Sequence, residues 1–213
     1  MKYYGQIFNG IPVDAFLYER YFKDKRDGFF IECGAADGLN LSCCKFFEEF
    51  MDWKGINVEA SPTKYAKLLQ NRPDSFLNLN KGLLNESGVY VFRDDTVEDP
   101  RYAPGWGNGS FEHTEKHFGQ LNQMGIKLQE SNVTTITFKE LIEENSVKSV
   151  DLFILDVEGV EPLVIEGMKD SPVLPKHVFI EHEHVGLELC KELMAEMGYR
   201  CDWNDFCNSM YII

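Results

Sequence analysis

The chain has 213 residues, 44% hydrophobic and 26% charged, which suits one packed domain, residues 1–213, with room for an insertion. Its 35 acidic against 21 basic residues give a formal charge of -14. That argues against a nucleic-acid or anionic-lipid surface, because both demand a cationic face.

No apolar run approaches the length of a membrane span, and residues 1–10 carry no secretory pattern. The six cysteines include no Cys-x-x-Cys pair and read as core thiols of a reducing, cytoplasmic setting. From Val13 to Lys23 the apolar residues Phe16, Leu17 and Phe22 follow a helical spacing, so residues 1–27 are expected to form an N-terminal helical extension. Gly28-Phe29-Phe30-Ile31 reads as a buried strand running into Glu32-Cys33-Gly34-Ala35-Ala36-Asp37-Gly38, and Leu41 to Met51 as a helix. Gly55 to Glu59 is the next strand. Ser61-Pro62 opens a helix, with Ser as N-cap and Pro in its first turn. Ser75 to Leu79 and Val89 to Phe92 are further strands, the second preceded by the turn Asn85-Glu86-Ser87-Gly88. Residues 94–130 break the pattern and read as an irregular functional loop inserted into the domain.

Alternation then resumes. A helix is expected over Thr137 to Glu144, a strand over Val150 to Leu155, a helix over Glu161 to Met168 and a strand over His177 to Ile180. A helix follows over Leu187 to Met197, and Tyr199 to Trp203 and Cys207 to Ile213 form a closing strand pair. This order predicts an α/β fold, a mainly parallel sheet with helices on both faces and an antiparallel edge.

In such a sheet ligands bind beyond the carboxyl ends of the strands. The first strand ends at Glu32, followed by Gly34 and Gly38, where glycine lets a ligand approach the backbone. The second ends at Glu59, 21 residues beyond Gly38 (59 − 38), the spacing at which an acid meets ribose hydroxyls. These features point to an adenosine-containing cofactor. Glu32 and Asp37 would repel a pyrophosphate but attract the ammonium and sulfonium of S-adenosylmethionine, so the electrostatics favour the methyl donor over NAD.

The same residues carry a family resemblance. Gly28 to Gly38 resembles the first motif of FkbM-type methyltransferases, and Val58-Glu59-Ala60-Ser61-Pro62 their second, with Ala60 where Pro is usual. Asn108-Gly109-Ser110 resembles a short motif of their middle region, and Val133-Thr134-Thr135-Ile136-Thr137 the stretch before their fourth strand. Asp151-Leu152-Phe153-Ile154-Leu155-Asp156-Val157-Glu158-Gly159-Val160-Glu161 resembles their most distinctive motif, in which Leu155 replaces a frequent Ile. The resemblance spans about Gly28 to Tyr199. It implies a Rossmann-like class I methyltransferase fold with a seven-stranded sheet, and methyl transfer to hydroxyls, often on sugars or glycosylated metabolites. It assigns Glu32, Gly34, Ala35, Asp37, Gly38, Glu59, Ala60 and Asp156 to the cofactor, Gly82 and Leu83 to the flanks of its adenine, and Asp156 and Glu158 to the bottom of the active site.

An alcohol is a poor nucleophile, so a base or a metal must help remove its proton. The candidate catalytic residues are Asp156, Glu158 and His182. Each has a plainer reading: a structural acceptor for Asp156, a helix N-terminal acid for Glu158, a strand-end cap for His182. A Mg2+ or Mn2+ ion is a candidate, with Asp156, Glu181 and His182 as ligands beside Glu158. In the 94–130 insertion, Tyr102, Trp106 and Phe111 are placed to stack on a sugar acceptor. Asn108, Ser110, His113 and His117 are placed to bond its hydroxyls. Two other classes compete. A sugar oxidoreductase or epimerase using NAD would want a Tyr-x-x-x-Lys dyad, and the only such spacing, Tyr21 with Lys25, precedes the first strand. A non-catalytic binding scaffold would not require the carboxylates Asp156, Glu158 and Glu161.

Overall fold

A computed structural model describes residues 1–95 and 107–213. The chain opens with a hairpin, β1 (Ile7–Phe8) and β2 (Ile11–Pro12), then the short helix α1 (Val13–Leu17) and a π-helical turn, Tyr18–Phe22. The helix expected over Val13 to Lys23 is therefore present as α1 continued by the π-helical turn, and a hairpin precedes it. The alternating part follows as β3 (Phe29–Cys33), α2 (Lys45–Phe50), β4 (Lys54–Val58), α3 (Pro62–Asn71) and β5 (Leu77–Leu79). Next come β6 (Gly82–Leu83), β7 (Gly88–Asp95), α4 (Glu115–Met124) and β8 (Leu128–Ile136). The chain finishes with α5 (Phe138–Glu144), β9 (Leu152–Leu155), α6 (Glu161–Met168), β10 (His177–Glu181), α7 (Leu187–Glu196), β11 (Arg200–Asn204) and β12 (Asn208–Ile212).

Seven strands form one sheet in the order β11-β12-β10-β9-β3-β4-β5. Its members β5, β4, β3, β9 and β10 run parallel, and β12 runs antiparallel to both its neighbours. The expected seven-stranded, mainly parallel sheet with an antiparallel edge is thus the observed one. The central strands are buried on both sides, which is why they read as unbroken apolar runs rather than alternating ones. Ile31, Ile56, Phe153 and Ile180 pack beneath α5, α6 and α7 through Leu141, Val164, Met168 and Met194. Phe30, Leu152, Ile154 and Phe179 face the opposite layer, built from Leu17, Phe22, Phe46 and Phe47.

Two helix starts follow their sequence signals. Ser61 caps α3 through Lys64 N, with Pro62 in the first turn. Thr137 and Glu140 form a reciprocal capping box at α5, the pairing that satisfies two orphan N–H groups at once. The region expected to be an irregular loop is more ordered than its composition suggested. Its described part contains α4, capped by Thr114 and closed by Gly125 in the left-handed region, and the first residues of β8. Strands β6, β8 and β7 make a second, three-stranded sheet, inserted in chain order between β5 and β9. Tyr102 and Trp106 lie outside the described residues.

The chain leaves β3 for β4 and β5 on one side, then returns to β9 and β10 on the other. That reversal leaves a crevice beyond the carboxyl ends of β3 and β9.

Candidate functional site

At the crevice the backbone of Gly34 lies against the carbonyl of Asp156: a Cβ at Gly34 would fall 1.8 Å from that oxygen. Gly34 also has φ +84°, so no other residue fits here without moving β9. The turn is tied to β4 by Gly34 N and Ala35 N, which donate to Val58 O. Above it opens a cavity of about 510 Å³, lined among others by Glu32, Gly34, Ala35, Glu59, Ala60, Gly82, Leu83, Asp156, Glu158 and Glu181.

The acids of the first two motifs differ in what holds them. Glu59 sits at the end of β4, 5% exposed, and accepts from Ala36 N and Ser61 N at 2.7 Å each. Burial pushes its carboxyl up to about 7, against the pull of Lys64. Glu32 faces the cavity but is held by Ser42 Oγ, Cys43 N and Cys44 N, with the fully buried Arg72 guanidinium 3.6 Å away. Burial raises its carboxyl and Arg72 opposes that. Asp37 accepts from Leu39 N, Asn40 N and Asn40 Nδ2, so its carboxylate closes its own turn. Asp37 and Gly38 do not line the cavity; they shape the loop that does.

At the other end, Asp156, Glu158 and Glu181 bring carboxylate oxygens within 4.8 Å of one another. Burial pushes the Glu158 carboxyl up to about 7, and Asp156 beside it adds to the shift. Burial, then Asp156 and Glu158, drive Glu181 well above the carboxylate range, and burial raises Asp156 as well. Carboxylates so close cannot all ionise without a cation or a shared proton. The strand-to-helix turn that carries Glu158 is strained, with Glu158 at φ +58° and Gly159 at φ +117°. It is clamped from below by Glu161, which accepts from Val157 N and Gly159 N.

The histidine in this cluster is His184, where the sequence reading placed His182. The chain turns sharply after β10, closed by Gly186 N donating to His182 O. That turn leaves the buried His182 away from the cavity and brings His184 Nε2 to 3.0 Å from Glu158 Oε2. Burial lowers the His184 pKa, but the bond to Glu158 outweighs it and the net shift is upward. His117, on α4, stacks flat on His184 with ring centroids 3.8 Å apart, and its Nε2 lies 3.8 Å from Glu158 Oε2. Burial and the neighbouring His184 and His113 hold His117 near 4, and so neutral. The expected metal set Asp156, Glu181 and His182 is accordingly corrected. The groups that converge are Asp156–Glu158–Glu181 and His117–Glu158–His184.

The acceptor residues expected from the insertion also divide. Asn108 lines the cavity and donates from Nδ2 to Asp95. Asp94 and Asp95 in turn pair with Lys64 at 2.6 and 3.1 Å. Ser110 and His113 do not line the cavity. Ser110 exchanges backbone bonds with Arg93 and is fully buried, while His113 Nε2 lies 2.7 Å from Asn108 O. Both brace the segment that carries Asn108. Phe92, Phe111, His117 and Leu121 complete this wall, and Gln6, Phe8 and Val13 of the N-terminal segment also line the cavity. The part played by residues 1–27 had no sequence motif to announce it.

Residues 32–201 match the family model described as the methyltransferase FkbM domain. No curated protein matches the sequence. Among solved structures, the FkbM methyltransferase from Methylobacillus flagellatus KT aligns at 12% identity and a TM-score of 0.49, over 91% of this chain and 46% of that one. A fibrillarin/Nop5p complex aligns at 15% identity and a TM-score of 0.42, over 98% of this chain and 88% of that one. The chain thus spans under half the length of that FkbM protein.

Proposed function

This chain belongs to the FkbM methyltransferase domain family, and from that premise we propose that it transfers the methyl group of S-adenosylmethionine to a hydroxyl of a carbohydrate acceptor. The observation that carries this reading is the half-buried carboxylate group Asp156, Glu158 and Glu181 beside a glycine turn with no room for a side chain. Such a group favours a cationic ligand and would reject a pyrophosphate. When bound, S-adenosylmethionine supplies an electrophilic methyl on a positively charged sulfur.

Glu59 keeps lone pairs free beside its two backbone bonds and suits two ribose hydroxyls. Gly82, Leu83 and Ala60 offer an apolar slot for the base. Asp156, at the end of β9, faces the ammonium and sulfonium charges. Among the described residues, Asn108, His117 and His184 supply amide and imidazole groups on the acceptor side, which suits a polyhydroxylated molecule better than an apolar one.

Glu158 is the proposed proton acceptor. Its pKa near 7 is matched to taking a hydroxyl proton at neutral pH, and His184 behind it steadies the charge. Glu158 would take the hydroxyl proton of the acceptor, and the bound methyl donor would supply its methyl group to that oxygen and leave as the neutral thioether. The six cysteines are free, which supports a reducing, cytoplasmic setting.

The test is incubation with methyl-labelled S-adenosylmethionine and a panel of mono- and oligosaccharides, comparing wild type with Glu158→Gln. Labelled glycan from wild type and a loss of about 100-fold or more in the variant support the reading. Label appearing only on amine or lipid acceptors would overturn the carbohydrate assignment.

A further inference from the structure

A lysine stands between the two halves of the site. Lys64 is in the first turn of α3, where the helix dipole favours acids over cations. Its side chain is 15% exposed, and lysine is seldom buried without partners. A residue set against both local preferences marks a functional position more often than a structural one. Lys64 lines the cavity together with Glu59, Gly107 and Asn108. Its backbone N–H donates to Ser61 Oγ at 3.3 Å, and Ser61 N donates to Glu59 Oε1 at 2.7 Å. One turn therefore presents both the ammonium and the acid assigned to the donor ribose.

From that turn the ammonium reaches the inserted unit. Lys64 Nζ donates to Asp94 Oδ1 at 2.6 Å and to Asp95 Oδ1 at 3.1 Å, both at the end of β7. Asp95 accepts twice from Asn108, from Nδ2 at 2.9 Å and from the backbone N–H at 3.4 Å. The backbone on either side of Asn108 is laid against the same group. A Cβ at Gly107 would fall 2.7 Å from Lys64 Nζ, and one at Gly109 would fall 2.9 Å from Asp94 Oδ1. Burial lowers the Lys64 pKa, but Asp94, Asp95 and Glu59 outweigh it and the net shift is upward, so the side chain stays charged. The same charge opposes the burial that pushes Glu59 up.

We propose that Lys64 is a positioning residue that joins the donor side of the cavity to the acceptor side: its ammonium holds Asn108 in place through Asp95 and, from the same point, supports the Glu59 carboxylate that meets the donor. Methyl transfer needs donor and acceptor in line, and a misplacement of about 1 Å is costly. A single cation tied to both sides fixes the distance between them. This inference deepens the methyl-transfer reading and rests on it for the identity of the two ligands. The proton path through Glu158 is unchanged.

The experiment compares wild type, Lys64→Met and Lys64→Arg, each checked for folding by its thermal transition. S-Adenosylmethionine binding is measured by calorimetry from about pH 6 to 9, and amide hydrogen exchange of residues 107–113 is followed on the same proteins without ligand. The groups that face Glu59 are Lys64 on α3, Asp94 on β7 and the N–H groups of Ala36 and Ser61; Glu158 feels the Lys64 charge least among its own neighbours. Removing the cation makes Glu59 a weaker acid, and one weaker by tenfold is ionised about fivefold less at pH 7. The expected result for Lys64→Met is exchange at residues 107–113 faster by about tenfold or more. Donor binding in that variant should weaken about fivefold at pH 7, with the gap closing toward pH 9. Lys64→Arg, which keeps the charge, restores the pH profile. Donor binding weakened by the same factor at every pH overturns the support of Glu59, and wild-type exchange at residues 107–113 overturns the hold on Asn108; either result ends the joining role and leaves methyl transfer standing. Should Lys64→Met fail to fold, Asp95→Asn tests the same hold, and wild-type exchange in that variant overturns it. A folded wild type that binds no methyl donor at any pH overturns the methyl-transfer reading, and the joining role with it.

Discussion

Replacing Glu161 by Ala should loosen the turn that aims Glu158 without touching the cavity. Glu161 is 2% exposed, and its carboxylate accepts from Val157 N at 3.1 Å and from Gly159 N at 3.1 and 3.2 Å. Each bond to a charged acceptor contributes about 1.5–3 kcal/mol. Between them they hold Glu158 at φ +58°, a conformation that costs about 1–3 kcal/mol when unsupported. Relief of a buried acid, pushed up to about 7 by burial, offsets part of the loss. A net destabilisation of about 3 kcal/mol remains, which for a chain of this size lowers Tm by about 6–12 °C. Methyl transfer should fall by about 100-fold, because a displacement near 1 Å at the reacting group has that effect. Glu161→Gln keeps one carbonyl acceptor and should lose about 1 kcal/mol. Thermal unfolding and a labelled-methyl assay on the three proteins decide the matter. An Ala variant that melts with wild type and turns over normally would refute the clamp.

Gly34→Ala should abolish methyl-donor binding and destabilise by about 3 kcal/mol or more, since the new Cβ meets a backbone carbonyl at 1.8 Å and cannot be relieved by a side-chain rotation; calorimetry and thermal unfolding read both. Arg72→Met removes the guanidinium 3.6 Å from Glu32 and 2.6 Å from Glu48 and should cost about 3–5 kcal/mol, measured by chemical denaturation, with Glu32→Gln in the same chain recovering part of it. Stability should also depend on pH through Glu59 and Glu161, both pushed up to about 7 by burial from an ordinary 4.5. The folded state holds those protons where the unfolded chain has lost them, so their contribution is greatest below pH 4.5 and declines as pH rises to about 7. The difference in Tm between wild type and a Glu59→Gln, Glu161→Gln double variant, followed from about pH 5 to 8, should move in favour of the variant as pH rises; a flat difference would contradict the assigned shifts.

The sheet was legible because its strands are short apolar runs punctuated by acids and glycines, and a βα alternation admits few topologies. Glu59 and the turn at Gly34 follow from the same logic, since strand ends and spacing alone place them at the switch point. Asp37 shows the limit: its charge suggested a ligand contact, yet three neighbouring donors in its own loop claim it. His182 and His184 mark another. Three consecutive polar residues after β10 offer no periodicity, so which histidine faces the cavity depends on a turn closed by Gly186, and that glycine was the available signal. His117 carried a helical spacing with His113, and its proper partners lay 41 and 67 residues further on (158 − 117, 184 − 117), beyond any local pattern. The place of Gln6 and Phe8 in the cavity lining is tertiary packing with no motif behind it.

The central claim is a methyl-donor site built on Glu59 and the Gly34 turn. Calorimetry of S-adenosylmethionine with wild type and Glu59→Ala, with NAD as the control ligand, tests it most directly. The account predicts micromolar-range binding of the methyl donor alone, weakened at least about tenfold in the variant by the loss of a charged acceptor worth about 1.5–3 kcal/mol. Binding of NAD in preference, or no binding of the methyl donor to a folded wild-type chain, would contradict it.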